Sequence, residues 1–227
     1  MPIAKLVQIT AWSYSRYTAY LQCPFAAKCK HVLGLPEPDN PAMLNGKQVH
    51  EQSATYLTSA SKAPPLPAAL WRFEKEYQAL RALKPRPLVE SEWAFNKVWE
   101  QCGWRDWAAC WLRIKVDIHY THRSNRLKII DIKTGRINED HTLQRSLYAL
   151  GGLLVYPDVT SVEVEHWYLE QGEIRADKWP ADALPELQAQ WLDNAKPMLT
   201  DTLFAPRPGP YCQRCPYRHA TGGPCVF

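Results

Sequence analysis

A chain of 227 residues, 46% hydrophobic and 22% charged, can bury a sizeable core and is too apolar to be intrinsically disordered. Its formal charge of +4 admits a nucleic-acid partner without demanding one, because the clustering of Lys and Arg decides that, not their sum. No secretory pattern opens the sequence and no apolar run could cross a bilayer, which excludes membrane-spanning classes and leads us to expect a cytoplasmic protein with no membrane partner.

Residues 10–33 start with Ser13 as an N-cap and place Tyr14, Tyr17, Leu21 and Phe25 at helical spacing, in a helix that Pro24, directly after Cys23, could break. A Pro-rich linker over 35–41 precedes a second helix over 41–59. There Gly46 stands one turn before His50 on the same face, leaving room beside the imidazole. By itself His50 reads as an ordinary helix histidine. The segment 63–67 breaks the chain again, 70–83 reads as a third helix, and Lys84-Pro-Arg-Pro87 ends it.

From Leu88 the apolar period becomes two. A strand is expected over 88–99, with Glu90 and Glu92 on one face, and a longer one over 107–120 that carries Asp117. The turn at 123–126 joins it to a β-branched run ending in Asp131-Ile132-Lys133-Thr134-Gly135, and so short a connection implies an antiparallel hairpin. Alternation puts Asp131 and Lys133 on one face at the strand's end. An acid there can hold a divalent cation while the lysine steadies a water nucleophile or phosphate charge. The same pair also reads as a surface ion pair worth about 0–1 kcal/mol. Asp117 and Asp131 can meet across the hairpin, and two adjoining carboxylates need a cation to neutralise them.

A helix over 139–156 brings Gln144, Arg145 and Tyr148 together, which is equally the polar surface of any helix. The alternating run 159–169 follows as a strand parallel to its predecessor, with a hairpin partner over 173–179 and a helix over 184–199. Ten Trp and eleven Tyr are a heavy load, suited to the core or to stacking on bases. In a reducing compartment the seven cysteines read as metal or cluster ligands or as buried thiols. Cys212 and Cys215 have the spacing to grip one centre, and Cys225 can return through Thr-Gly-Gly-Pro. Four thiolates leave zinc and a 4Fe–4S cluster both open, with His219 as an alternative zinc ligand. Cys29, Cys102 and Cys110 read as small buried hydrophobes.

The ordered set Gly46-x-x-x-His50, Asp117, Asp131-Ile132-Lys133-Thr134-Gly135 and Gln144-x-x-x-Tyr148 resembles the PD-(D/E)xK nuclease superfamily. More narrowly it is similar to the RecB-like exonucleases, among them the small iron–sulfur nucleases of CRISPR adaptation and of phages. The resemblance implies an α/β (α+β) restriction-endonuclease-like fold, a mixed central sheet flanked by helices. It implies one nuclease domain over 1–227: a helical part (1–87), a nuclease core (88–180), and a C-terminal helix with a cluster-binding tail (181–227). The implied activity is metal-dependent DNA exonuclease action, with Mg2+ or Mn2+, on single strands or duplex ends in recombination, repair or CRISPR adaptation.

By this resemblance Asp117 and Asp131 bind the metal with the carbonyl of Ile132 and the imidazole of His50. Lys133 serves catalysis, Gln144 and Tyr148 hold the DNA strand with Arg145 beside them, and Glu92, or failing it Glu90, is the acid of the first core strand. Cys23, before Pro24, supplies the fourth ligand of a 4Fe–4S cluster with Cys212, Cys215 and Cys225, zinc being the alternative. Such a clasp would join the chain's two ends and be structural. Arg126, Lys128, Arg136 and Arg145 would neutralise phosphates or form a solvated face. Implied partners are DNA, a recombination or CRISPR-adaptation protein, and further copies of the chain. The chain departs from the family pattern at Ile114, where a glycine is usual, and in lacking a proline before Asp117. A rival reading is a catalytically silent nuclease fold that binds DNA ends or proteins, and a third is a zinc-clasped structural protein.

Overall fold

The computed structural model describes residues 8–38, 40–62, 64–135, 137 and 141–227; Arg136 and the expected helix start at Glu139 lie outside the described residues. The helices are α1 (Tyr14–Gln22), α2 (Pro24–His31), α3 (Pro41–Thr58), α4 (Glu74–Ala82), α5 (Thr142–Val155) and α6 (Leu184–Thr200). The strands are β1 (Leu88–Phe95), β2 (Leu112–His122), β3 (Arg126–Lys133), β4 (Ser161–Tyr168) and β5 (Glu173–Pro180). The chain divides into two compact units, Asn40–Gln188 and Met1–Asp39 with Ala189–Phe227.

The unit Asn40–Gln188 is a five-stranded sheet in the order β1-β2-β3-β4-β5. Neighbours run antiparallel except β3 and β4. The cause is local: a tight turn with Asn125 at φ 55 returns β3 along β2, whereas α5 intervenes before β4 and a helical crossover brings the next strand back parallel. One face packs on α3, the 3-10 turn Ala68–Phe73 and α4, burying Val49, Tyr56, Leu57, Phe73 and Tyr77 against Ile118, Ile130, Ile132 and Trp167. The rings of Phe73 and Trp167 stack there at 5.1 Å. The other face takes α5, whose approach depends on Gly152: a Cβ there would stand 2.7 Å from Leu127 and 3.0 Å from Ile129. The result is the mixed sheet between helices that the resemblance implied.

Several boundaries differ from those expected. The helix over 10–33 is two helices, because Cys23 is extended at φ −159 and caps both, with Pro24 opening the second. The helix over 70–83 starts as the 3-10 turn and becomes α-helical only at Glu74. The first strand stops at Phe95, not residue 99, because the Asn96 side chain accepts the N–H groups of Val98 and Glu100 and folds the chain into a turn. The second begins at Leu112, not residue 107, because Asp106 accepts from Ala108 and Ala109 in a further turn.

In the other unit, Trp12 stacks on Trp191 at 5.6 Å and Tyr17 meets Trp191 edge-on at 5.5 Å. Tyr20 Oη donates to Asp201 at 2.9 Å, and Tyr217 Oη donates to the Leu35 carbonyl at 3.3 Å. These contacts gather the early helices and the last segment around one aromatic core. Among the described residues, no helix is long and apolar enough to cross a membrane.

Candidate active site

The site lies where the sheet's ladder opens. β2 and β3 pair from His122↔Arg126 to Ile118↔Ile130. One residue further on, the side chain of Asp117 takes the ladder's place, its Oδ2 accepting the Ile132 N–H at 2.8 Å. Its Oδ1 lies 3.0 Å from Nδ1 of His50 on α3. On β1, Glu90 sits in the left-handed region at φ 50, a conformation uncommon for a non-glycine residue. It completes a group in which one donor atom each of His50, Glu90 and Asp117 lies within 4.8 Å of the others. Lys115 Nζ is 2.6 Å from the Glu90 carboxylate.

Glu92, the acid favoured by position, is exposed and outside this group. Strand alternation alone could not distinguish it from Glu90, because the left-handed residue interrupts the alternation. Gly46 also acts differently from expectation. A Cβ there would meet Thr134 Oγ1 at 3.2 Å, so the missing side chain lets α3 approach the end of β3.

A closed ring of contacts adjoins the group. Asp131 Oδ1 accepts from Tyr148 Oη at 2.7 Å, and that hydroxyl accepts from Gln144 Nε2 at 3.3 Å. Gln144 Oε1 accepts from Lys133 Nζ at 2.7 Å, and Nζ lies 2.7 Å from Asp131 Oδ2. Asp131 and Lys133 share a face by strand alternation, Gln144 and Tyr148 by the i,i+4 spacing of α5.

The two buried acids behave differently. Burial, joined by the neighbouring Asp131 charge, raises the Asp117 carboxyl above the usual range, against the pull of His50 and the Ile132 N–H. Burial pushes Asp131 the same way, but the Lys133 ammonium, the facing His166 and the hydrogen bond from Tyr148 hold it below that range. Burial disfavours the imidazolium of His50, yet the carboxylates of Asp117, Asp131 and Glu90 raise it overall. His166, which the sequence reading did not single out, is paired in register with Asp131 and is pushed down to about 3, chiefly by burial. Its only signal was a histidine inside the apolar run of β4.

Of the residues expected to meet DNA, Tyr148 and Arg145 are buried. Arg145 Nε is 2.5 Å from Asp177, so it belongs to the interior. Lys128 Nζ pairs with Glu165 at 2.7 Å. Arg126 opens β3 and Lys133 closes it, which separates them by roughly 23 Å at about 3.3 Å per residue. Three carboxylates are hard oxygen donors of the kind that suit Mg2+ or Mn2+, and the one imidazole is a borderline donor that Mn2+ tolerates better than Mg2+. Asp131 Oδ2, buried without a well-aligned hydrogen-bond donor, fits that role.

Five of the seven cysteines occupy the other unit, while Cys102 and Cys110 lie in the sheet-bearing one. Cys23, Cys212, Cys215 and Cys225 line one cavity of about 780 Å³ with Pro206, Tyr211 and Pro216. Backbone N–H groups of Arg207 and Gly209 point at the sulfurs of Cys23 and Cys212, at 3.4 and 3.3 Å. Cys29 is wholly buried and pushed up to about 11 by burial and by Cys215, Cys225 and Cys23 around it. Cys110 is buried and Cys102 half-buried. His219 is exposed and is not part of the cavity wall. No three of these sulfurs come within 4.8 Å of one another: among the described residues the only such donor group is His50, Glu90 and Asp117.

No curated protein matches the sequence. Among solved structures, the chain is similar to a candidate exonuclease from Eubacterium rectale, at 10% identity and a TM-score of 0.51, over 96% of this chain and 89% of that one. A second similar structure is that of the protein SSO0001, at 14% identity and a TM-score of 0.43, over 99% and 90% of the two chains. The family model of the PD-(D/E)XK nuclease superfamily matches residues 11–220, and the chain belongs to that superfamily.

Proposed function

We propose that this protein is a metal-dependent deoxyribonuclease, an exonuclease acting on single-stranded DNA or duplex ends. The observation that carries the reading is the pair of buried Asp131 and half-buried Lys133, tied through Gln144 and Tyr148 and set beside His50, Glu90 and Asp117. His50, Asp117, Asp131 and the Ile132 carbonyl, with Glu90 at the rim, would hold Mg2+ or Mn2+. Such an ion, when bound, polarises a phosphate and lowers the pKa of an attacking water. Lys133 Nζ donates to that water or to a phosphate oxygen, and Gln144 keeps it aimed. Tyr148 fixes the rotamer of Asp131.

The test is digestion of end-labelled single-stranded and duplex DNA with Mn2+, by wild type and by Asp131→Ala and Lys133→Ala. Both variants should lose cleavage while keeping the wild-type circular dichroism. Full activity in either would end this reading. Equal DNA binding in chelator and in Mg2+ with no nucleotide released would favour the silent binding module, in which both oxygens of Asp117 stay with His50 and Ile132.

We further propose a 4Fe–4S cluster on Cys23, Cys212, Cys215 and Cys225. A single tetrahedral zinc, at about 2.3 Å from each sulfur, would draw thiolates to roughly 3.8 Å apart. The cavity that all four sulfurs line, about 780 Å³, has room for a polynuclear centre. Backbone N–H groups aimed at two sulfurs suit thiolates of either site. A yellow-brown protein that bleaches on oxidation is expected, and a colourless protein containing stoichiometric zinc would refute the cluster.

A further inference from the structure

The side of Asp131 turned away from Tyr148 faces an unmet atom. Oδ2 is ion-paired with Lys133 Nζ at 2.7 Å but accepts no aligned hydrogen bond, and Nε2 of His166 is left with no partner. The two atoms face each other at 3.6 Å, longer than a hydrogen bond. His166 is wholly buried, and the register Asp131↔His166 between parallel strands puts it there through the backbone alone. The buried Nε2, left unmatched, costs roughly 1–3 kcal/mol while the gap stays open.

The other ring nitrogen tells where the proton sits. Nδ1 of His166 lies 3.4 Å from an Arg145 terminal nitrogen. A guanidinium only donates, so Nδ1 is bare and the neutral ring carries its proton on Nε2, toward Asp131. Arg145 is itself anchored by Asp177 at 2.5 Å and by Thr142 Oγ1 at 2.9 Å. A chain of contacts thus runs from Asp177 through Arg145 and His166 to Asp131.

We infer that His166 is a positioning residue whose Nε2–H is the fixed donor that orients Asp131 Oδ2 for the divalent ion once Lys133 turns to the substrate. Lys133 is the movable partner, its side chain 20% exposed and shared between Asp131 and Gln144. His166 has nowhere to go. A carboxylate oxygen has two acceptor sites, so the donor and the cation can share it. The inference rests on the nuclease reading for the role of Asp131.

The test combines 15N NMR of the imidazole in metal-free protein with calorimetric Mn2+ titration of wild type, His166→Leu and His166→Gln. Expected are a bare Nδ1 and a protonated Nε2 in wild type. Mn2+ affinity should weaken about 10–100-fold in His166→Leu and recover in His166→Gln, whose amide can still donate. A proton on Nδ1 overturns the inference. Should His166→Leu fail to fold, Arg145→Met keeps the ring and releases its tautomer: mixed tautomers with weakened Mn2+ binding support the role, and unchanged ones overturn it. A wild type that binds no Mn2+ sinks the nuclease reading and this role together, whereas equal binding by wild type and His166→Leu sinks this role alone.

Discussion

Tyr148 shows how much of the candidate site is held in place by buried side chains. Its hydroxyl is spent on Asp131 and Gln144, so Tyr148→Phe should cost about 1–2 kcal/mol of stability and weaken activity or Mn2+ affinity by roughly 10–100-fold, read from melting curves and titration. The buried histidines set the acid limit. His119 and His166 are held at about 4 and about 3, chiefly by burial, against an ordinary 6.5. The unfolded chain therefore binds protons that the native one refuses as pH falls below about 6.5, each histidine costing on the order of 1.4 kcal/mol per pH unit. His119 bonds Ser91 at 2.9 Å, and His119→Gln should flatten the fall of melting temperature between pH 6 and 4.5. Asp117 and His50 act with the opposite sign. Both are raised in the native protein, so their contribution, present in acid, is lost as pH rises through their native values. Added Mn2+ should restore stability most at the alkaline end of that range.

Helix and strand periods made the elements themselves legible: the antiparallel β2–β3 hairpin and the parallel return at β4 both followed from connection length. Where an element ends was harder to read, because side chains such as Asn96 and Asp106 close turns by bonding backbone groups inside runs that look strand-like. The order of Asp117, Asp131 and Lys133 was equally visible, whereas the choice of Glu90 over Glu92 hung on one left-handed residue, and the interior fate of Arg145 on a partner that lies 32 residues away in the chain. The two glycines at helix faces test how the elements meet. Gly46→Ala adds helix propensity worth up to about 1 kcal/mol but pushes on Thr134 beside Lys133, so activity should fall while melting temperature holds or rises. Gly152→Ala meets Leu127 at 2.7 Å, so overpacking should cost about 1–3 kcal/mol with the helix propensity gain only partly offsetting it.

At the scale of the molecule, the candidate nuclease centre and the thiol-lined cavity belong to different compact units. Chemical oxidation of Cys23, Cys212, Cys215 and Cys225 should then alter the melting of their own unit before it alters Mn2+ binding at the sheet, measured by calorimetry and titration on one sample with Cys102 and Cys110 replaced by Ala. One consequence follows from the order of the four cysteines along the chain. The whole sheet-bearing unit, residues 40–188, separates Cys23 from Cys212, Cys215 and Cys225 along the chain. That unit is therefore translated in full after the first thiol and before the other three, and domains generally fold as units during synthesis. A cluster on these four thiols, as proposed above, could close only after residues 40–188 have been made, so iron-starved cells are expected to hold chains whose sheet is folded and whose four thiols are free.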